Sequence, residues 1–172
     1  SYKEGTLRRR LERRMTLASL KPGQWSRYVA LLREDSRELE ALARDMLIHV
    51  TRFFRDPAVF DYLANEIIPD LIDNRASDEP VRIWVAGCST GEEAYSLAML
   101  LRERIAATGR DIKLQIFATD ADETAVVRAR EGLFNDAAVA DIPARLLSRF
   151  FTRNERGYRA NAELRAGMVF AV

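Results

Sequence analysis

The chain has 172 residues, 48% of them hydrophobic and 31% charged, so it is long enough to bury a core and has the composition of a globular protein. No apolar run approaches the roughly 18 residues of a membrane-spanning helix. The single cysteine, Cys88, excludes an internal disulfide framework and favours a reducing cytoplasm, while the single histidine, His49, argues against a dedicated metal site.

The small net charge of +1 hides a difference between the two parts of the chain. Residues 1–55 contain 13 basic and 7 acidic side chains, whereas residues 56–172 contain 14 basic and 19 acidic ones. We therefore expect the two parts to meet different partners, and the basic part to meet an acidic one.

Helical patterns account for residues 1–75. The first predicted helix, TLRRRLERRM, is basic and amphipathic, with one apolar row beside two rows of arginine. The arginine rows are Arg9 with Arg13 and Arg10 with Arg14. Later helices are predicted to begin after the cap-like residues Asp35 and Asp56, and Pro69 is predicted to kink or end the last of them.

The hydrophobic period changes after residue 80. VRIWVAG and KLQIFATD are short apolar and β-branched runs, separated by a helical pattern of about four turns. This order predicts a parallel pair of strands with a right-handed crossover. A helix that closes at Gly132 and a short helix after Pro143 are predicted to follow, and GYRANAELRAGMVFAV is predicted to form a strand, a turn or short helix, and a last strand.

These patterns predict an α/β fold in two domains. Residues 1–75 form an all-helical domain, residues 76–172 form a truncated Rossmann-like parallel sheet, and NRASDEP, residues 74–80, marks the boundary. Fewer parallel strands are recognisable than a doubly wound sheet contains, so we expect the chain to end within the second domain. The edge of such an unfinished sheet is a predicted surface for self-association.

The turn GCSTGEE is the first candidate for a binding site. Gly87 ends a predicted strand and Gly91 precedes a predicted helix, an arrangement that presents backbone N–H groups, from Ser89 onward, to a ligand. The glycines do not have the GxGxxG spacing, and Glu92 and Glu93 would repel a phosphate. S-adenosylmethionine carries a sulfonium and an ammonium group and no phosphate, which suits this charge. A capped helix start without a ligand is the alternative.

Two further groups of residues are candidates. Asp120 follows the second predicted strand, where an acid in α/β proteins accepts hydrogen bonds from ribose hydroxyls. In VTRFFRD, residues 50–56, the phenylalanines are predicted core anchors, and Thr51 and Arg55 are polar residues on either side of them. A helix cap and a surface charge are the alternatives for these two residues.

The motifs together resemble one family. YKEGTLRRRLERRM, VTRFFRDPAVF, GCSTGEEAYSLAMLL, FATDAD and AREGLF occur in the same order in the chemotaxis receptor methyltransferases, the CheR family. The resemblance covers all 172 residues, and FFRD with CSTGEEAYS is its most specific part. It implies S-adenosylmethionine-dependent methylation of glutamate side chains of chemoreceptors, with S-adenosylhomocysteine as the second product. It also implies a helical domain followed by a Rossmann-like methyltransferase domain.

Site residues follow from the resemblance and from the strand-to-helix turn together. The residues predicted to bind the cofactor are Thr51, Arg55, Gly87, Ser89, Glu92 and Asp120. The resemblance implies that Thr51 and Arg55 line the cofactor pocket, that Glu92 lies near the methionine moiety and that Asp120 binds the ribose. His49 replaces an asparagine that reaches the cofactor in some members.

No residue is predicted to act as a general base, because a glutamate, with a pKa of about 4.3, is already ionised at neutral pH. The chemistry instead requires alignment in a site that excludes water, and Arg55 is the only candidate for a catalytic contribution, through positioning. The four arginines Arg9, Arg10, Arg13 and Arg14 are predicted to bind the acidic methylation helices of receptors. A solvated surface is the alternative, and nucleic acid is a disfavoured partner.

The resemblance also predicts absences. An Asn-Leu pair, a Cys-Arg-Asn stretch and the small β-subdomain that grips a receptor tail in some members are all expected to be missing, so we expect a fragment with an incomplete site. A non-catalytic docking or sensing module of a larger signalling protein is the alternative function. An enzyme that uses a nicotinamide nucleotide is disfavoured by the two glutamates of the GCSTGEE turn.

Overall fold

The computed structural model describes residues 4–47, 50–74 and 79–172. By its internal contacts the chain forms two compact units, residues 1–48 and 49–172. Within the described ranges, no helix combines the length and the apolar character that a membrane crossing requires.

Three helices make up the described part of the first unit: α1 (Glu4–Leu17), α2 (Trp25–Glu34) and α3 (Ser36–Met46). Asp35 begins α3 as predicted, since its carboxylate accepts a hydrogen bond from the Arg37 backbone N–H at 2.9 Å. Met15 of α1 and Tyr28 of α2 are buried, so the apolar faces of these helices form the core of the unit.

A polar cluster lies inside this unit. The Glu38 carboxylate accepts hydrogen bonds from the Arg14 guanidinium at 3.1 and 2.5 Å and from the Tyr28 hydroxyl at 2.8 Å. The hydrogen bond from Arg14 lowers the pKa of Glu38, and burial together with the hydrogen bond to Glu38 raises the pKa of Tyr28 to about 12. Arg10 donates to the Leu47 carbonyl oxygen at 2.9 Å, at the end of α3. Two of the four arginines predicted to meet a partner are therefore engaged within the unit.

The second unit contains helices and two small sheets. In chain order its elements are α4 (Pro57–Tyr62), a π-helical turn (Leu63–Ile67), α5 (Ile68–Asp73), β1 (Val81–Ala86), α6 (Glu92–Thr108), β2 (Leu114–Thr119), α7 (Glu123–Glu131), β3 (Leu133–Phe134), a 3-10 turn (Ala138–Asp141), α8 (Ala144–Phe150), β4 (Phe151–Asn154), β5 (Gly157–Ala160), α9 (Ala162–Arg165) and β6 (Met168–Ala171).

The helix before the first sheet is interrupted before Pro69 and continues after it. The π-helical turn joins α4 to α5, and Pro69 lies in the first turn of α5. The Ile68 N–H donates to the Leu63 carbonyl oxygen of the π-helical turn, and Pro69, which has no N–H to donate, follows directly after it. The prediction of a kink is thus right about the region, whereas the alternative that Pro69 ends the helix is wrong.

The compact units do not divide at residues 74–80, where the composition places the domain boundary. Arg104 of α6 donates to the Asp73 carboxylate at 3.0 Å, and Arg110 donates to the Ile72 carbonyl oxygen at 3.3 Å. These contacts connect α5 to the sheet unit, although its sequence pattern is helical like that of the residues before it.

The parallel sheet has the strand order β1, β2, β6. Val81 pairs with Leu114, and Ile116 pairs with Met168. The predicted strand-helix-strand unit and the last predicted strand are thereby confirmed as neighbours in one sheet. The carboxyl ends of β1 and β2 lie side by side, which brings the GCSTGEE turn next to Asp120.

A second sheet is antiparallel, with the order β3, β5, β4. The stretch predicted to begin with a strand at Gly157 provides β5, the central strand of this sheet. Two of its strands give little signal in the sequence, because β3 has two residues and β4 begins at Phe151, directly after α8 ends at Phe150. A period of two cannot be recognised over such short segments.

Aromatic side chains connect the segment 50–56 to the antiparallel sheet and to α4. Phe53 is fully buried and contacts the rings of Phe134 and Phe151 edge to face, with centroids 4.9 and 5.9 Å apart. Phe54 packs on Phe60 at 5.3 Å. The prediction that the two phenylalanines anchor this segment in a core is confirmed for Phe53, and Phe54 is half-buried at its margin.

Candidate functional site

The loop between β1 and α6 is fixed by backbone hydrogen bonds. The N–H groups of Gly87 and Cys88 both donate to the Thr119 carbonyl oxygen, at 2.8 and 2.9 Å, which ties the loop to the end of β2. Gly87 and Gly91 have φ values of +73° and +98°. A Cβ on Gly91 would lie 3.0 Å from the Ala129 Cβ, so Gly91 also allows α7 to approach. A Cβ on Gly87 would meet nothing within 4 Å, so the space beside it is open.

Asp120 lies beside this loop, at the carboxyl end of β2. One carboxylate oxygen accepts the Ser89 backbone N–H at 2.7 Å, and the other accepts the Asp122 backbone N–H at 2.9 Å. Asp122 in turn caps α7, since its carboxylate accepts from the Thr124 N–H at 2.7 Å. Two backbone donors therefore hold the Asp120 carboxylate in one orientation, with its remaining lone pairs available to a ligand.

Two backbone N–H groups of the loop donate to acceptors within the protein, which differs from the prediction. The sequence predicts that the N–H groups of Ser89 to Glu92 face a cavity, but the Ser89 N–H donates to Asp120 and the Gly91 N–H donates to the Cys88 carbonyl oxygen at 2.9 Å. These two amides already have acceptors within the protein and are therefore not available to a phosphate.

Two glutamates begin α6 and differ in their surroundings. The Glu92 side chain is buried and accepts a hydrogen bond from the Thr90 hydroxyl at 2.6 Å. Glu93 is exposed and lines a cavity of about 240 Å³ together with Arg55 and Leu97. A sequence pattern treats the pair as equivalent caps, whereas the structure places only Glu92 inside the protein.

Segment 50–56 meets the first turn of α6. The Phe54 backbone N–H donates to the Ser96 hydroxyl at 3.0 Å, and this hydroxyl donates to the Glu92 carbonyl oxygen at 2.7 Å. Arg55 donates to the Val50 carbonyl oxygen at 2.8 Å, which folds the segment back on itself. Thr51 is half-buried in the same segment. The structure thus brings Arg55 and Glu93 to one cavity, and it anchors the backbone beside Arg55 to the helix of Glu92.

Asp56 departs from its predicted role. It occupies the position before α4, but it has φ of +59° and its side chain makes no capping hydrogen bond. The carboxylate lies 4.0 Å from the Arg55 guanidinium instead. The left-handed backbone turns the side chain away from the helix, so Pro57 alone provides the start signal.

Cys88 has the properties of an inert core residue. Burial, and then the negative charges of Asp120, Glu92 and Glu93, raise the pKa of its thiol to about 11. A thiol with this pKa is protonated at neutral pH and is a poor nucleophile. The three carboxylates that contribute to this shift after burial lie near Cys88 and give the loop a negative charge.

The described residues fit S-adenosylmethionine. Three carboxylates, from Glu92, Glu93 and Asp120, surround the start of α6, and Gly87 leaves open space beside the loop. A sulfonium and an ammonium group suit these charges, and ribose hydroxyls suit a fixed carboxylate. His49 lies outside the described residues.

The predicted arginine rows of α1 separate into two kinds of residue. Arg10 and Arg14 are half-buried and bonded within the first unit, as described above. Arg9 and Arg13 are exposed. The predicted partner surface is therefore reduced to the exposed row, Arg9 and Arg13, which lie four residues apart on α1.

Ser96 links segment 50–56 to Glu92 and gives only a weak signal in the sequence. It is completely buried on α6, four residues after Glu92. The only signal in the sequence is a small polar residue between Tyr95 and Leu97 in a largely apolar segment of the helix. Its partner, the Phe54 N–H, lies 42 residues earlier and cannot be identified from spacing.

Comparison with known families accounts for nearly the whole chain. Residues 1–47 match the family described as CheR methyltransferase, all-alpha domain. Residues 49–172 match the family described as CheR methyltransferase, SAM binding domain. The junction of the two matches coincides with the junction of the two compact units.

Curated proteins from several bacteria are similar to the chain. An uncharacterized 104.1 kDa protein of Rhodobacter capsulatus is 45% identical over 170 residues, which is 99% of this chain and 18% of that protein. The chemotaxis protein methyltransferase of Escherichia coli (strain K12) is 33% identical over 155 residues, 88% of this chain and 50% of that protein. That of Borreliella burgdorferi is 36% identical over 105 residues, 60% of this chain and 37% of that protein.

The chain spans half or less of the length of these relatives. Within the chain, the family matches cover both the all-alpha domain and the SAM binding domain. The chain therefore belongs to the CheR methyltransferase family, of which it covers the N-terminal part.

Proposed function

We propose that the protein takes part in S-adenosylmethionine-dependent methylation of glutamate side chains on chemoreceptors in the cytoplasm. The observation that carries this proposal is the Asp120 carboxylate, fixed by two backbone N–H groups beside a loop rich in carboxylates. Relatives named as chemotaxis protein methyltransferases support the substrate class.

The residues proposed to bind the cofactor have different chemical roles. Asp120 accepts hydrogen bonds from the ribose hydroxyls, and Glu92 and Glu93 provide the negative charge that suits the ammonium and sulfonium groups. Thr51 and Arg55 approach from segment 50–56. The cofactor, when bound, supplies the methyl group.

Little acid–base chemistry is required of the chain. A glutamate carboxylate is ionised at neutral pH and is itself the nucleophile, so no residue needs to remove a proton. The protonated Cys88 thiol is consistent with this requirement. The proposed contribution of the chain is to orient the substrate and to exclude water. Arg55, which is exposed and lines a cavity with Glu93, is our candidate for orienting a carboxylate.

Calorimetry tests the cofactor assignment. The intact protein is titrated with S-adenosylhomocysteine and, in parallel, with NAD, and we expect heat from the first ligand only. Heat from neither ligand would instead favour a non-catalytic docking or sensing module. Stronger binding of NAD would favour a nicotinamide enzyme.

Transfer of a labelled methyl group to a receptor cytoplasmic fragment tests the reaction. The label is expected to be released by mild alkali as methanol, because glutamyl esters hydrolyse under conditions that leave N-methyl groups in place. Alkali-stable label would exclude ester formation.

The exposed arginine row predicts how the substrate is approached. Exchange of Arg9 and Arg13 for glutamate is expected to slow association with an acidic receptor helix about tenfold at low salt, because it replaces attraction by repulsion. Stopped-flow association rates measured over a range of salt concentrations check this, and the difference should shrink as salt screens the charges.

A matched control keeps the charge change and moves it to another helix. Arg27 and Arg33 of α2 are also exposed, so the double exchange to glutamate there gives the same net charge. Equal slowing by both pairs would show that only net charge matters and would reject a specific role for Arg9 and Arg13. Affinity for S-adenosylhomocysteine is expected to stay unchanged in both.

A further inference from the structure

Ser96 joins two parts of the candidate site through one buried hydroxyl. Its oxygen accepts the Phe54 backbone N–H at 3.0 Å and donates to the Glu92 carbonyl oxygen at 2.7 Å. Ser96 has no exposed surface. Both hydrogen-bonding roles of the hydroxyl are therefore used within the protein, away from competing water.

The segment that Ser96 holds has an irregular backbone. Phe54 and Asp56 have φ values of +49° and +59°, a region that residues other than glycine rarely occupy. A backbone of this kind persists only where surrounding contacts fix it. Phe53 provides the apolar contact, and the Ser96 hydroxyl provides the polar one at the next residue.

Buried positions of α6 do not in general carry a hydroxyl. Ala94 and Ala98, on either side of Ser96 along α6, are also completely buried and carry only a methyl group. A buried hydroxyl without partners is costly, so serine at this position is explained by what it bonds and not by the space it fills.

We propose that Ser96 is a positioning residue, whose hydroxyl sets segment 50–56 against the first turn of α6 so that Thr51 and Arg55 meet the cofactor that Glu92 and Asp120 bind. This inference rests on the proposed function. It assigns to Ser96 no contact with cofactor or substrate. The role is to hold the Phe54 amide, one residue before Arg55, at a fixed distance from Glu92.

Two variants at Ser96 distinguish the effect of losing the hydrogen bonds from the effect of losing side-chain volume. Ser96→Ala removes the hydroxyl, and Ser96→Cys fills the position with a thiol that is a weak hydrogen-bonding group. We expect both to bind S-adenosylhomocysteine about tenfold more weakly by calorimetry. Ile105→Val, a small change in the buried part of the last turns of α6, is the control for general destabilisation and is expected to keep wild-type affinity.

A readout that needs no cofactor keeps the two proposals distinguishable. Amide hydrogen exchange is expected to show a protected Phe54 N–H in the wild type and in Ile105→Val, and loss of that protection in Ser96→Ala. If the wild type fails to bind S-adenosylhomocysteine, the proposed function fails, and this amide still decides whether Ser96 holds the segment. Wild-type affinity in both Ser96 variants, equal weakening in Ile105→Val, or an unchanged Phe54 amide in Ser96→Ala would each overturn the positioning role.

Discussion

Exchange of Asp120 for alanine is expected to weaken S-adenosylhomocysteine binding about 100-fold, because hydrogen bonds to a charged group contribute about 1.5–3 kcal/mol each. The change removes the proposed acceptor for the ribose. It also frees the Ser89 and Asp122 backbone N–H groups that the carboxylate now accepts. Titration calorimetry of wild type and variant in the same buffer measures the difference.

Two further variants show which property of Asp120 matters. Asp120→Asn preserves shape but turns one acceptor oxygen into a donor that faces a backbone N–H, so we expect an intermediate loss. Asp111→Asn removes the same charge at an exposed position before β2 and is expected to bind as the wild type does. Binding by Asp120→Ala within twofold of the wild type would contradict the assignment of this carboxylate to the cofactor.

The fold was predictable where a periodic pattern was long enough to recognise. The strands that end before Gly87 and Asp120 have six residues each, and the helix between them has seventeen. Segments of this length are long enough for the hydrophobic period of 3.6 residues in a helix to be distinguished from the period of 2 residues in a strand. Strand β3, with two residues, and strand β4, which starts without a turn after α8, show no such period and were missed.

The candidate site was predictable in its chemistry but not in its internal hydrogen bonds. The two glutamates at the start of α6 can be read directly from the sequence, and their negative charge predicts a cationic ligand. The sequence does not predict that the Ser89 N–H donates to Asp120, because this hydrogen bond depends on the left-handed backbone of Ser89, with φ of +48°. The same holds for Ser96, whose partner is distant in sequence.

The arginine rows of α1 illustrate a related limit. Helical spacing identified Arg9 with Arg13 and Arg10 with Arg14 as two equivalent rows. Only packing distinguishes them, because Glu38 on α3 pairs with Arg14 and leaves the other row to solvent. A pattern within one helix therefore predicts which residues share a side, but the neighbouring helix decides which side is exposed.

The largest loss of stability is expected from Gly167→Ala, at the turn that leads into β6. Gly167 has φ of +77°, and a Cβ there would overlap the Leu114 carbonyl oxygen, which belongs to the backbone of β2 and cannot move aside. The Gly167 carbonyl oxygen also accepts the Ile116 N–H at 2.8 Å. We expect a loss of more than about 3 kcal/mol in the free energy of unfolding, since the left-handed backbone costs about 1–2 kcal/mol and the overlap adds to it.

Gly109 provides the matched control for this prediction. It has a similar φ of +66°, but a Cβ there would meet nothing within 4 Å, so Gly109→Ala isolates the backbone cost of about 1–2 kcal/mol. Denaturant unfolding followed by circular dichroism compares the two variants. Because the Asp120 N–H donates to the Ala171 carbonyl oxygen at 3.2 Å, displacement of β6 should also disturb Asp120 and weaken S-adenosylhomocysteine binding in Gly167→Ala alone. Equal losses of stability in the two variants would show that β6 does not approach β2 as closely as the structure indicates.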